Sequence, residues 1–322
     1  MYLASLQPVL NELRYVEIIE EKIPPLAEKI KALDPEPLSM NDPELFPATD
    51  DGDFINFLCV STAINFCFND VLTGQKFIAE VNGKKYKGSV GLDACLLNAW
   101  ENDRNVLRSQ SLKTLQSNDL RRIFTGNMEI PLLKERCEIL NHLGRQWNLL
   151  GKSFETLFRE NNFHAFEYSG SKGIIPTLCE KFPKAYEDVE FWYHLPAVYP
   201  LIFRKKAQLL IILYQNRAIN SLTLEPIHDI EKIGAICDYN IPRPMVSAGA
   251  LKYKPELAER IKNEIAIQPH SREEIEIRAA SYYIFERVKK ILKVDSCVLD
   301  AAFWLLGRES KEPQMLVPTT AY

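Results

Sequence analysis

The stretch EEIEIRAASYYIFERVKKIL (Glu273–Leu292) decides the fold class. Its apolar residues recur at helical spacing, and it opens on Ser271-Arg272-Glu273-Glu274, a capping box in which serine and glutamate each satisfy a free backbone N–H of the first turn. The next segment, VLDAAFWLLGRE (Val298–Glu309), predicts a second helix over 297–307 that starts at Asp295-Ser296. Working back along the chain, the same pattern predicts helices over 90–101, 132–150, 153–159, 174–182, 200–215, 226–236 and 244–253. Residues 9–23 predict a leading helix, with Val9, Leu10, Leu13, Val16, Ile18, Ile19 and Ile23 in register, broken at Pro24 and Pro25. FINFLCVSTAINFCF (Phe54–Phe68) is apolar around most of its circumference, so it reads as a buried helix. The clearest β signal is KFIAEVNGKKYKGS (Lys76–Ser89), where Asn82-Gly83 favours a tight hairpin turn between two alternating runs. The expected architecture is therefore mainly α, with one small hairpin near 76–89.

No repeat, low-complexity tract or charge block divides the chain of 322 residues, so it reads as a single domain over 1–322. Within it, 1–53 holds the leading helix and a proline-rich irregular connector over 34–53, and EYSGSKG (Glu167–Gly173) is an internal loop. The 46% hydrophobic content suffices for a large core. Thirty-nine basic and 43 acidic residues, mixed along the chain to a net charge of −4, leave no basic stripe for a nucleic-acid backbone. A small-molecule partner fits better than nucleic acid. Seven scattered cysteines without a CxxC pair read as reduced thiols, and five histidines without ligand spacing give no metal site, so no cofactor is expected. With an acidic, amphipathic N-terminal stretch and no run near the ~18 apolar residues of a membrane span, the expected location is the cytoplasm.

Three carboxylates, Asp229, Asp238 and Asp300, sit in apolar surroundings where a charge needs a reason. Asp229 follows Pro226-Ile227-His228 and has an ordinary reading as a helix-start charge. Asp238, after Cys237, lies on a bend stiffened by Pro242 and Pro244 and reads as either a turn cap or a directed functional group. Asp300 and Trp304 are four apart, so a helix puts a carboxylate beside an aromatic plate, although Asp300 could instead be a first-turn charge. In LIFRKKAQLLIILYQ (Leu201–Gln215), Lys205 and Lys206 interrupt an apolar run, and their stems could snorkel to water. Arg278 and Glu276 read as helix-surface or structural ion pairs.

These segments resemble a known family. CDYNIPRPMVSAGALKY is similar to the "aDYrlPQvLrylGaLkY" stretch of the queuosine salvage proteins, the queuosine 5′-phosphate N-glycosylase/hydrolase family. The likeness extends in order through STAINFCF, YKGSVGLDACLLNA, IPLLKERCEILNHLG, FRKKAQLL, EEIEIRAASYYIFE and LDAAFWLLG, and covers residues 54–309. It implies a helical fold similar to DNA glycosylases and release of queuine from queuosine 5′-monophosphate. By position it implies Asp238, Asp229 and Lys205 as catalytic residues and Cys237, Asp300 and Trp304 as substrate-binding residues. The chain departs from the pattern at Arg243 (family Gln), Leu305 (often an acid) and Asn69 (family Trp). The alternatives are a helical glycosylase acting on a flipped nucleic-acid base, or a non-catalytic nucleotide-binding or scaffold protein.

Overall fold

Helices dominate the computed structural model, which describes residues 2–194 and 196–322. In chain order they are α1 (Leu3–Leu10), α2 (Ile23–Lys31), α3 (Gly52–Ala63), α4 (Ser89–Asn102), the short α5 (Ser109–Leu112) and α6 (Ser117–Ile123), and α7 (Leu133–Leu150). There follow α8 (Phe154–Glu160), α9 (Ile174–Lys181), the one-turn α10 (Pro183–Tyr186), α11 (Lys205–Ala218), α12 (Pro242–Ser247), α13 (Pro255–Lys262), α14 (Arg272–Leu292) and α15 (Ser296–Glu309). Strands among the described residues form three antiparallel pairs: β1 (Val16–Ile18) with β6 (Leu251–Tyr253), β2 (Ile78–Val81) with β3 (Lys84–Lys87), and β4 (Val189–His194) with β5 (Ala197–Ile202). Among the described residues, no helix is long and apolar enough to cross a membrane.

The longest helix, α14, forms where the capping box places it. Ser271 Oγ accepts the Glu274 N–H at 3.3 Å, and Glu274 reaches back to the His270 N–H at 2.5 Å. It packs against α1, α2, α12 and β1 and buries residues around most of its circumference, Glu276 and Arg278 included. A polar side chain so placed must find its partners inside. Glu276 accepts the backbone N–H groups of Arg14 and Tyr15 at 2.8 and 2.7 Å, tying the segment after α1 to the core. Arg278 donates two bonds to Asp188, at 3.0 and 2.6 Å, with its guanidinium against the rings of Phe203 and Tyr322. Neither residue is a surface pair.

The hairpin over β2 and β3 turns at Asn82 and Gly83, both at positive φ (50° and 76°), as that dipeptide requires. Other expectations are corrected. The leading helix over 9–23 is broken, because Val16–Ile18 pairs with Leu251–Tyr253 as a strand. Pro24 and Pro25 begin a helix rather than ending one: they occupy the first turn of α2, where a missing N–H costs nothing. The pattern over 200–215 is split, with 197–202 in β5 and α11 starting only at Lys205. Residues 226–236 carry a single 3-10 turn (Ile230–Lys232) in place of a helix. At Gly234 an added Cβ would lie 1.6 Å from Tyr282 Oη, so the segment runs extended and tight against α14. The expected helix over 244–253 is α12 followed by β6.

Candidate active site

One cavity is walled by α4, α11, the Ile236–Ile241 bend, α15 and the connector before α3. Its ionisable lining is Asp93, Lys205, Asp238 and Asp300, beside Trp304 and Asn65.

The bend comes first. Asp238 Oδ1 accepts the Asn240 N–H at 2.7 Å, so the turn-cap geometry and an inward-facing carboxylate coexist. Helix α15 closes on the bend at Gly307, where a Cβ would lie 2.7 Å from the Asn240 carbonyl. Its N-cap is Asp295, which accepts the N–H groups of Cys297 and Val298 at 2.9 and 3.1 Å. Asp300 therefore lies beyond the first turn and is not a helix-start charge. Instead it shares with Trp304 the face that lines the cavity.

Lys205 and Lys206 do not snorkel; both are 2% exposed. The Lys205 ammonium donates to the Asn65 carbonyl at 3.2 Å and to its side-chain oxygen at 3.3 Å. Lys206 donates to the Ala63 carbonyl at 3.1 Å, and burial pulls its pKa down to about 7. The carbonyls of the turn after α3 are gathered by the fully buried Arg136, which donates to those of Ile64, Phe66 and Cys67. Asn65 is thereby fixed facing Lys205.

The electrostatics follow from desolvation of like charges. Burial raises the Asp238 carboxyl pKa, opposed by Lys205. Burial, and then the Asp238 carboxylate, raise Asp300 to about 8. Asp300 is thus neutral at pH 7, while in the unfolded chain it ionises near pH 4. Below both values the mismatch has no effect on stability. Between about pH 4 and 8 the unfolded state loses its proton and the folded state does not, so the group costs the fold progressively more as pH rises. The melting temperature of Asp300→Asn minus that of the wild type is expected to widen from pH 4 to pH 8, a trend calorimetry across that range would read. A constant difference would contradict it.

Two of the sequence-read residues lie elsewhere. Asp229 is 3% exposed, with its carboxylate accepting the Ala165 and Phe166 N–H groups at 2.6 and 3.1 Å, and it does not line the cavity. Its anchored loop packs far along the chain, so it acts there as a backbone clamp and not as a helix-start charge. Cys237 is buried at 2% exposure and absent from the lining; burial raises its thiol pKa well above the usual value, opposed by Arg278 and reinforced by the neighbouring Asp238. All seven cysteines are free and buried.

Sequence reasoning missed Asp93, Asn65 and the connector. Leu38–Met40 and Leu45–Phe46 cover the cavity, held by Arg217, which donates to the Met40 carbonyl at 2.8 Å, the Pro47 carbonyl at 2.9 Å and Asp50 at 2.5 Å. The three departures from the family pattern all fall outside the lining. Arg243 instead clamps the last turn of α15 and the segment after it, donating to the Gly307, Ser310 and Glu312 carbonyls at 2.5, 2.5 and 2.9 Å. Leu305 is 44% exposed, and Asn69 bonds Gln314 at 3.3 Å.

The family model described as queuosine salvage protein matches residues 45–320. Among curated proteins, the queuosine 5′-phosphate N-glycosylase/hydrolase of Sphaerobacter thermophilus is 29% identical over 96% of this chain and 92% of its own length. The proteins of that name from Bos taurus and Schizosaccharomyces pombe are each 25% identical, over 85% and 88% of this chain and 82% and 83% of their own.

Proposed function

The chain belongs to the queuosine salvage protein family, and on that premise we propose that it hydrolyses the N-glycosidic bond of queuosine 5′-phosphate, releasing queuine for reuse in tRNA modification. The observation that carries this reading is the convergence of Asp238, Asp300, Lys205 and Trp304 on one cavity from three separate elements.

Cleaving the ribosyl C1′–N bond develops positive charge on the sugar, so a fixed carboxylate below C1′ stabilises the oxocarbenium or attacks it, and water completes hydrolysis. Asp238 takes that role. Lys205 is pinned by Asn65 within the field of Asp238 and Asp300; it opposes the upward push of burial on the Asp238 carboxyl and offers a contact for the 5′-phosphate. Queuine is a 7-deazaguanine without a basic N7, so help to the leaving group must reach another edge of the base. Asp300, carrying its proton at pH 7, supplies a donor and an acceptor to that edge, while Trp304 stacks on the ring.

The partner in this reading is the free nucleotide rather than nucleic acid, supported by the net charge of −4 and by the absence of a basic stripe in the sequence. The reduced thiols favour the cytoplasm. Incubating the purified protein with queuosine 5′-monophosphate is expected to yield free queuine on chromatography. Neither product nor a thermal shift would favour a scaffold, and base release from duplex DNA alone would favour a nucleic-acid glycosylase.

A further inference from the structure

The cavity holds a third carboxylate that the reaction above leaves unused. Asp93 lies on α4, 8% exposed, with Ser89 and Val90 one turn before it on the same lining face. Its Oδ1 accepts the Ser61 hydroxyl of α3, and its Oδ2 has no protein hydrogen-bond partner among the described residues. On a side chain that lines the cavity, that oxygen is free to receive a donor from a ligand. The helix dipole does not account for the acid, since Asp93 lies beyond the first turn of α4. Nor does any lysine, arginine or histidine among the described residues come within ion-pair distance of it.

We propose that Asp93 is a specificity-determining residue whose Oδ2 receives the protonated secondary amine of the substrate's base side arm. The inference rests on the reading of this cavity as a queuosine 5′-phosphate site. Charge balance argues for it: Asp300 carries its proton at pH 7 and Lys205 offsets Asp238, so an ionised Asp93 is the lining carboxylate left without a cation. A nucleotide that carries an ammonium on its base and a phosphate on its sugar satisfies both ends. Small side chains at Ser89 and Val90 leave the approach to Asp93 open. Asp229, another acid singled out from the sequence, is occupied by two backbone N–H groups outside the cavity. Burial sets the Asp93 pKa at about 7, opposed only by the Ser61 hydroxyl, so an incoming cation meets a group that ionises readily to receive it.

The test compares wild type and Asp93→Asn, a substitution that keeps an acceptor for Ser61. Both are assayed with queuosine 5′-phosphate and with 7-deazaguanosine 5′-phosphate, the same nucleotide without the arm, measured as substrate or as competitive inhibitor. The expected loss in kcat/KM on queuosine 5′-phosphate is about 10- to 100-fold, the size of one charge-assisted hydrogen bond, and it should enter through KM because the arm is remote from the reacting bond. The preference for the armed nucleotide should shrink by the same factor. A variant whose affinity for both nucleotides falls equally, or whose KM is unchanged, overturns the assignment of Asp93. A wild type that releases no queuine at all overturns the underlying reading instead, so the two failures are distinguishable.

Discussion

Replacing Asp238 by asparagine is expected to lower the rate of queuine release by about three orders of magnitude or more, while leaving the fold intact. The substitution removes the charge that faces the developing oxocarbenium but retains its shape and its acceptor for the Asn240 N–H. Stability should not suffer. Burial raises the Asp238 carboxyl pKa above that of the unfolded chain, so the ionised group costs the fold something that a neutral amide does not. The measurement is single-turnover base release at saturating nucleotide, beside a melting curve. Undiminished release would remove Asp238 from the reaction, and a lowered melting temperature would mean that its carboxylate holds the bend together. The expected pair of results, inactive and at least as stable, is the signature of a group kept against the interest of the fold.

How far the sequence disclosed this arrangement depended on whether the deciding contacts were local. The helices α7, α14 and α15 were legible because spacing, caps and apolar faces lie within each segment; Ser271 and Asp295 act as caps where the residue pattern puts them. The pairing of β1 with β6 was not, since three-residue strands carry no period and their partners lie more than two hundred residues apart. The stretch 226–236 has a helical pattern, yet the closeness of Tyr282 to Gly234 overrides it, and that contact is invisible locally. In the site, Asp238, Asp300 and Trp304 stood out as polar or aromatic groups in apolar context. Asp93, in VGLDACLL, bears the same signal as Asp300, a lone acid inside an apolar helix, and could have been found by the same rule. Asn65 and Met40 could not: what brings them to the cavity is Arg136 and Arg217 gathering backbone carbonyls across the fold.

The second large effect concerns the pair that supports Lys205. Asp188 and Arg278 are each 1% exposed and joined by two hydrogen bonds, and Asp188 also accepts the Lys205 N–H at 3.2 Å. The N-cap residue of α11, Arg204, sits at φ 50° and its side chain caps no backbone N–H, so this carboxylate is what meets the exposed N–H and the positive end of the helix. Replacing Arg278 by methionine leaves that acid buried without its cation, and urea denaturation is expected to show a loss of about 3–5 kcal/mol. Asp188→Leu strands the guanidinium between Phe203 and Tyr322 and should cost a similar amount. The double substitution removes both charges, so it should be less destabilising than the sum of the singles by about 2 kcal/mol or more. Additive losses would mean that the two groups act independently. Activity separates the two halves further: with Asp188 gone, the first turn of α11 loses its anion and Lys205 its backbone anchor. Asp188→Leu should therefore impair queuine release beyond what Arg278→Met does at matched folded fraction, because only the former releases the start of the helix that carries the cavity's lysine.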